Sequence, residues 1–166
     1  MVNNDDIASV RAFLYRTWVA QKQLEADCDL RQRLRSIANK ITPTLSQAPC
    51  HSSDQDKLAG VVAKIVDLDA QITNDIDVLV KVITDSREII NSVENEKYRL
   101  NLHLRYLSFK RWEEIAVIIG IGYRGCCKSH VKALKMAAKT KKYQEILKKG
   151  HRSSYVKYDI VKLTKL

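Results

Sequence analysis

The chain has 166 residues, with 29 Lys and Arg against 19 Asp and Glu and a net charge of +10. This length allows one or two small domains, and no segment approaches the roughly 20 apolar residues of a membrane-spanning helix. No apolar run follows a basic start, so we expect no secretory signal peptide and no membrane partner, and the predicted location is the cytoplasm.

The charge is divided unevenly along the chain. Residues 1–96 contain 11 Lys and Arg and 15 Asp and Glu, a net charge of −4, whereas residues 97–166 contain 18 and 4, a net charge of +14. The basic part is where we expect a polyanion such as nucleic acid to bind, because neutralising phosphates releases condensed counterions. A lysine-rich surface that is only solvated is the alternative interpretation.

Cysteine and histidine residues do not form a known catalytic or metal-binding pattern. Cys126 and Cys127 are adjacent, and the four cysteines lack paired C-x-x-C spacing. The sequence contains no glycine-rich phosphate loop, no G-x-S-x-G and no H-E-x-x-H. Cys127 and His130 lie one helical turn apart, and we interpret this spacing as chance. The sequence therefore predicts a protein that is not an enzyme, with no catalytic residue, cofactor, metal or small-molecule substrate.

The first predicted element is one long helix. Asp5 and Asp6 can cap a helix that begins near Ile7, and neither glycine nor proline interrupts residues 5–42. Because Thr42 precedes Pro43, helical backbone is disfavoured there, and a loop is predicted to follow. The helix has apolar residues at helical spacings: Ile7, Val10, Leu14, Trp18, Leu24, Cys28, Leu34, Ile37 and Ile41.

A second long helix is predicted to begin at a cap on Ser53 or Asp54. Its apolar stripe has near-heptad spacing, which is typical of a coiled coil: Leu58, Val61, Ile65, Leu68, Ile72, Ile76, Leu79, Ile83, Ile90 and Val93. Two long helices joined by a short loop predict an antiparallel hairpin over residues 1–95, used for oligomerisation or contact with a partner. A homodimer would cover the remaining apolar surface, and a monomeric helical bundle is the alternative.

Residues 98–138 are predicted to form three short helices with a glycine turn between the last two. Trp112 opens the middle helix, Gly120 ends it in the left-handed conformation, and Gly122 stands where the next helix is capped. The last helix is predicted from Tyr123 to about Lys139. This is the layout of a helix-turn-helix, so residues 96–140 are predicted to be a DNA-binding domain.

The start of the last helix is predicted to reach base edges in the major groove. Lysines further along this helix are predicted to contact the phosphate backbone, which fixes position and not sequence. Four residues, Cys126, Ser129, Ala133 and Leu134, are predicted to face inward. The predicted DNA-binding residues are Tyr123, Arg124, Cys127, Lys128, Lys132, Lys135 and Arg111.

Residues 141–166 are predicted to be a basic C-terminal extension. A continuation of the last helix beyond Lys139 to Lys149, where Gly150 would stop it, is left open by the sequence, and residues 155–163 have the composition of a segment that docks on the body of the protein. A basic arm that grips phosphate and a solvated helix end with a disordered terminus are both open interpretations.

Three segments resemble a phage-encoded regulator family of Gram-positive bacteria. They are LRSIANKITPTLSQAP at 34–49, DKLAGVVAKIVDLDAQI at 56–72, and LRYLSFKRWEEIAVIIG at 104–120 with KAL at 132–134. The resemblance covers residues 29–138. This family is a domain of unknown function related to phage late-gene transcriptional activators, and its C-terminal part is similar to sigma factor region four. The chain departs from the family at Phe109, where glycine is usual, and at Arg111, where a small capping residue is usual.

The resemblance implies an all-α protein with a sigma region four-like helix-turn-helix. It also implies a transcription regulator that binds double-stranded DNA at phage or prophage promoters, with host RNA polymerase as a partner, in the bacterial cytoplasm. The residues matching the family's base-reading positions are Tyr123, Arg124, Cys127 and Lys128. The alternative is a protein-interaction module or inhibitor that uses the same scaffold to bind a host or phage nucleic-acid enzyme.

Overall fold

The computed structural model describes residues 4–47 and 52–148, which form six α-helices and no β-strand. The predicted all-α fold class is therefore confirmed. None of the described helices combines the length and the apolar character needed to cross a membrane. The helices are α1 (Asn4–Gln47), α2 (Ser52–Asn91), α3 (Glu96–Tyr106), α4 (Trp112–Ile119), α5 (Tyr123–Lys139) and α6 (Lys141–Lys148).

The first helix extends further than its sequence predicts. The expected end at Thr42 was wrong, because α1 continues through Pro43 to Gln47. A proline in a helix removes one backbone hydrogen bond and tends to kink the helix without always ending it. Only one further turn follows Pro43, so the loss of its backbone hydrogen bond affects only the end of α1. The remainder of the predicted loop, residues 48–51, lies outside the described residues.

The chain forms two compact units. The first contains residues up to Val19 and from Lys81 onward, and the second is Ala20–Val80. The first unit thus combines the start of α1 and the end of α2 with all four short helices. The predicted division into functional parts at residues 95–96 and 140–141 stays a prediction.

In the second unit, polar contacts join α1 and α2. The Arg31 and Arg35 guanidinium groups lie 3.1 and 3.4 Å from carboxylate oxygens of Asp69, and the side chain of Asp27 hydrogen-bonds that of Asp75. Residues later in α1 contact residues earlier in α2, as expected for antiparallel helices. The buried apolar residues of α2 in this unit are Leu68, Ile72 and Leu79.

One member of the predicted apolar stripe of α2 lies away from the buried face. The side chain of Ile76 is exposed, although Ile72 and Leu79 on either side of it are buried. The steps from Leu68 to Ile72 and from Ile72 to Ile76 are both four residues. Two consecutive steps of four advance past the period of 3.6, so they rotate Ile76 out of the face that packs.

Asp27 and Asp75 form a carboxyl pair between the two long helices. Asp27 is buried and accepts a 3.0 Å hydrogen bond from the Gln23 amide, and Oδ2 of Asp75 is buried without a hydrogen-bond partner among the described residues. Burial, together with the hydrogen bond and the negative charge of Asp27, raises the pKa of Asp75. Ionised Asp75 therefore opposes folding.

We expect Asp75→Asn to raise the melting temperature at pH 7. The pKa of Asp75 is raised in the folded state, so protonated Asp75 stabilises the folded protein at low pH. This contribution to stability is lost as the pH rises through the folded pKa. The gain over the wild type should therefore shrink as the pH falls. Thermal melts followed by circular dichroism between pH 4 and 7 measure it. Asp77→Asn, exposed on the same helix, is the control, and an equal gain in both variants would contradict the interpretation.

In the first unit, apolar residues of α1, α2, α3, α5 and α6 form one core. Phe13 on α1 and Tyr143 on α6 meet edge to face, with their ring centroids 6.1 Å apart. This core fixes the short helices on the ends of the two long ones. Its buried members are Ile7, Val10, Phe13, Leu14, Ile89, Ile90, Val93, Leu102, Tyr106, Ala133, Leu134, Ala137, Ala138, Tyr143 and Ile146.

The last helix ends at Lys139, as predicted, and does not continue to Lys149, because the chain leaves the helix at Thr140. Thr140 has extended backbone (φ −69°, ψ 139°), and its hydroxyl donates to the Ala137 carbonyl at 2.8 Å and accepts from the Tyr143 amide at 3.4 Å. A threonine with these bonds ends one helix and caps the next. The break allows Tyr143 and Ile146 to enter the core. Residues 149–166, including Gly150 and the predicted docking segment, lie outside the described residues.

Candidate nucleic-acid interface

A tight turn joins α4 to α5. Gly120 has a φ of 74°, in the left-handed region that glycine adopts without strain. The amides of Gly120 and Ile121 donate to the carbonyls of Val117 and Ala116, at 3.2 and 3.0 Å, and Gly122 precedes the first residue of α5 in extended conformation. The start of α4 at Trp112, the left-handed Gly120 and the span of α5 all stand where the sequence places them.

The start of α4 is capped by Glu114 from within the helix. Its carboxylate accepts a 2.8 Å hydrogen bond from the Arg111 amide and a 3.1 Å bond from Lys110 Nζ. These two donors, the amide first, lower the pKa of Glu114. The Arg111 side chain has only donors and cannot cap the helix itself. It is exposed, so its guanidinium group is accessible to an anion.

Three helices are joined by a cluster of aromatic rings centred on His130. His130 Nε2 on α5 lies 3.1 Å from the Tyr106 hydroxyl on α3. The His130 ring also meets the Trp112 ring of α4 edge to face, with centroids 4.8 Å apart. The Arg105 guanidinium lies 4.5 Å above the Trp112 ring centroid. This cluster sets the orientation of α5 relative to α3 and α4.

His130 is neutral in this cluster. It is buried, and burial, with the positive charges of Arg11 and Arg105, lowers its pKa to about 3. The sequence assigned no structural role to this residue, because a lone histidine shows no sign of its tertiary partners. The sequence did not predict His130 on the inner face, although its position four residues after the inward Cys126 is a signal that could have placed it there.

The two faces of α5 differ in charge. The inner face is buried at Cys126, His130, Ala133, Leu134, Ala137 and Ala138. The outer face carries five exposed cations, Arg124, Lys128, Lys132, Lys135 and Lys139. We call these five residues the basic stripe. It extends over about 22 Å of helix at 1.5 Å per residue, and α5 contains no acidic residue. Its potential is therefore positive along its length.

Most of the predicted DNA-binding residues lie on accessible surface. The structure places Tyr123 and the cations at 124, 128, 132 and 135 on the exposed part of α5. Cys127 is partly buried and hydrogen-bonds Tyr123. The electrostatic interaction with Cys127, followed by burial, raises the pKa of Tyr123. Arg111 is exposed at the start of α4. Of the predicted inward residues, Ser129 is only partly buried.

Apolar side chains beside the turn are exposed, which the sequence did not predict. Val117 is 82% exposed and Ile118 is 52% exposed, and Ile121 follows them in the turn. An apolar patch next to a charged face is a feature of interaction surfaces. Among the described residues, no three His, Cys, Asp or Glu side chains are grouped so that they could hold a metal ion.

Comparison of the chain with protein families, with curated proteins and with solved structures finds no match.

We expect the neutral His130 to make stability depend on pH. The pKa of His130 is about 3 in the folded state, below the ordinary 6.5. The stability that neutral His130 contributes to the fold is therefore fully present above pH 6.5 and is lost as the pH falls towards 3. The loss is about 1.4 kcal/mol per pH unit, or about 2 kcal/mol between pH 7 and 5. Urea unfolding followed by tryptophan fluorescence measures it. His130→Gln keeps a polar partner for Tyr106 and should remove this dependence.

The matched control is His103→Gln, on the exposed side of α3, which should keep the wild-type pH dependence. If wild type and His130→Gln lost the same stability between pH 7 and 5, His130 would be titrating normally in the folded chain.

Proposed function

We propose that the protein is a DNA-binding transcription regulator that places α5 in the major groove of duplex DNA. The observation that supports this most directly is the basic stripe on a helix whose opposite face is held in the core. Phosphates on both sides of a groove attract such a helix, and releasing their counterions supplies much of the affinity. The order of α4, a short glycine turn and α5 also supports the proposal, because a helix-turn-helix has this order of elements.

The position of each cation along α5 indicates its role. Arg124 and Lys128 lie in the first two turns, which enter deepest, so we assign them to base edges, with guanine as the preferred acceptor. Tyr123 contacts a thymine methyl or a phosphate. Lys132, Lys135 and Lys139 lie further along the helix and are assigned to the phosphate backbone, which sets register. Arg111 at the start of α4 is assigned to DNA as well.

The regulator is proposed to act at phage or prophage promoters with host RNA polymerase, in the bacterial cytoplasm. This part rests on the resemblance of residues 34–49, 56–72 and 104–120 to the phage regulator family. The basic stripe is compatible with it, because a promoter-binding protein has to present a cationic surface to duplex DNA.

A homodimer is part of the proposal, and its interface is assigned to α2 in the second unit. The exposed apolar residues there are Val62, Val66, Ile76 and Val80. Their spacing of four, ten and four residues is symmetric about Gln71. An antiparallel second copy related by a two-fold axis would therefore oppose Val62 to Val80 and Val66 to Ile76, which is the self-complementary pattern of a dimer interface.

A second candidate function is a protein-interaction module that binds a nucleic-acid enzyme of host or phage. The observation that favours it is the exposed apolar patch of Val117, Ile118 and Ile121 beside the turn. An acidic protein surface with an apolar centre would match this patch and the start of α5 together. Direct DNA-binding measurements distinguish the two functions.

We expect Arg124→Glu with Lys128→Glu to weaken binding to specific duplex DNA on the order of a hundredfold, because two base contacts are lost and two negative charges enter the groove. The measurement is fluorescence anisotropy at several salt concentrations. One labelled duplex comes from upstream of the operon that encodes the protein, and the other has the same composition in scrambled order. The wild type should prefer the first on the order of a thousandfold.

Lys40→Glu with Lys64→Glu makes the same charge change at two exposed positions of the second unit, and it should leave the affinity within about twofold of wild type. Weak and equal binding of wild type to both duplexes would refute the regulator and favour the protein-interaction module.

We expect Val66→Glu with Ile76→Glu to convert a dimer to a monomer, because each substituted side chain would face its counterpart's negative charge across the two-fold axis. Sedimentation equilibrium over a range of concentrations measures the mass. Lys64→Glu on the same helix is the control. A wild type that stays monomeric at the highest concentration would rule out this interface.

A further inference from the structure

A second group of aromatic rings lines a small cleft in the first unit. The cleft has a volume of about 150 Å³ and is bounded by Tyr15, Trp18, Arg105, Tyr106 and Phe109. Its walls come from α1, the end of α3 and the segment that leads into α4. Tyr106 is shared with the His130 cluster, so one wall of this aromatic cleft is fixed by the contact that orients α5.

The α1 wall presents a stacked pair of rings. The rings of Tyr15 and Trp18 are 5.2 Å apart between centroids and inclined by 25°. Trp18 is 39% exposed, which leaves a large indole surface in contact with solvent. Stacking on such a surface is how proteins hold unpaired bases without sequence preference, since every base has a flat apolar face.

Phe109 is held in a conformation that its side chain disfavours. It has a φ of 53°, and it is the only residue other than glycine with positive φ in the described part of the chain. The Lys110 amide donates to the Leu104 carbonyl at 2.9 Å, and Arg105 donates to the Lys110 carbonyl at 3.1 Å, which fixes the adjoining backbone. Glycine would adopt this φ freely, so a phenylalanine here indicates a use for its ring.

The size and charge of the aromatic cleft limit what can occupy it. A drug-sized ligand needs roughly 300–1,000 Å³, so this volume accepts a single ring system. Arg105 is the cationic side chain of the cleft lining. Its positive charge and that of Arg11 oppose the rise that burial causes in the pKa of Tyr106. A guanidinium group in the lining favours a ring attached to phosphate over an uncharged aromatic side chain of a protein.

We propose that the aromatic cleft binds one unpaired nucleotide of the nucleic acid, with its base stacked against Trp18 and Phe109 and its phosphate near Arg105. This inference rests on the proposed function, because it concerns the same nucleic acid that α5 binds. It adds a second mode of recognition: α5 reads paired bases, and the aromatic cleft accepts a base that has left the stack. The protein would then bind most tightly to duplexes that are locally open.

The test uses two duplexes of one sequence, each with a single 2-aminopurine that is either paired with thymine or unpaired as a one-nucleotide bulge. We expect the wild type to bind the bulged duplex on the order of tenfold more tightly and to quench its 2-aminopurine fluorescence. Trp18→Ala and Phe109→Gly should each remove this preference and keep the affinity for the paired duplex. Leu100→Ala, an exposed apolar residue of α3 outside the cleft, should keep both.

Phe109→Gly removes the ring but permits the same backbone, so it tests the inference even if Trp18→Ala does not fold. Equal affinity of wild type for the two duplexes overturns the inference, as does a preference that survives both substitutions. In those cases the paired duplex is still bound and the proposed function stands. Binding of the bulged duplex alone would keep the aromatic cleft as a nucleotide site and reject the reading of paired bases by α5. Binding of neither duplex would reject both.

Discussion

The contact between Tyr106 and His130 is the interaction on which the arrangement of the short helices depends. It links α3 to α5 at 3.1 Å, and Trp112 of α4 packs against the same imidazole. Thr17 extends the connection to α1, since its hydroxyl lies 2.7 Å from the Tyr106 carbonyl. Leaving either polar partner buried and alone costs roughly 1–3 kcal/mol. The direction in which α5 presents its cations therefore depends on the contacts of His130, which is buried and uncharged.

Local signals made the region around the turn predictable from sequence. Glycine adopts the left-handed conformation without strain, so Gly120 marks the end of α4 independently of any tertiary contact. The period of 3.6 residues then places Cys126, Ala133 and Leu134 inside and the cations outside. The passage of α1 through Pro43 was missed, because a proline disfavours a helix without always ending it, and the sequence left open whether the last helix continues beyond Lys139. Proline and threonine signal a tendency only, and core burial of Tyr143 and Ile146 decided the second case.

The two candidate sites also differ in how far the sequence predicts them. The basic stripe is a property of one helix and is visible in the order of residues along the chain. The aromatic cleft is assembled from Tyr15 and Trp18 on one side and Phe109 on the other, about ninety residues apart in sequence. Neither of these two segments carries a periodicity or a motif that predicts its contact with the other. The exposed Val117 and Ile118 were missed for a related reason, because a helix that is apolar on most sides looks buried until its neighbours are known.

The edge-to-face contact of Phe13 with Tyr143 has a consequence for synthesis on the ribosome. Its two rings are separated by 130 positions in the chain, and the start of α1 has no partner on α6 until Tyr143 has emerged. Chains grow on the ribosome at about 5–20 residues per second, so Phe13 and Leu14 remain without that cover for roughly 6 to 26 seconds after they leave the exit tunnel. The second unit, which consists of residues 20–80 alone, can form earlier. Newly made chains therefore pass through a stage in which an apolar end of α1 is accessible to chaperones and proteases.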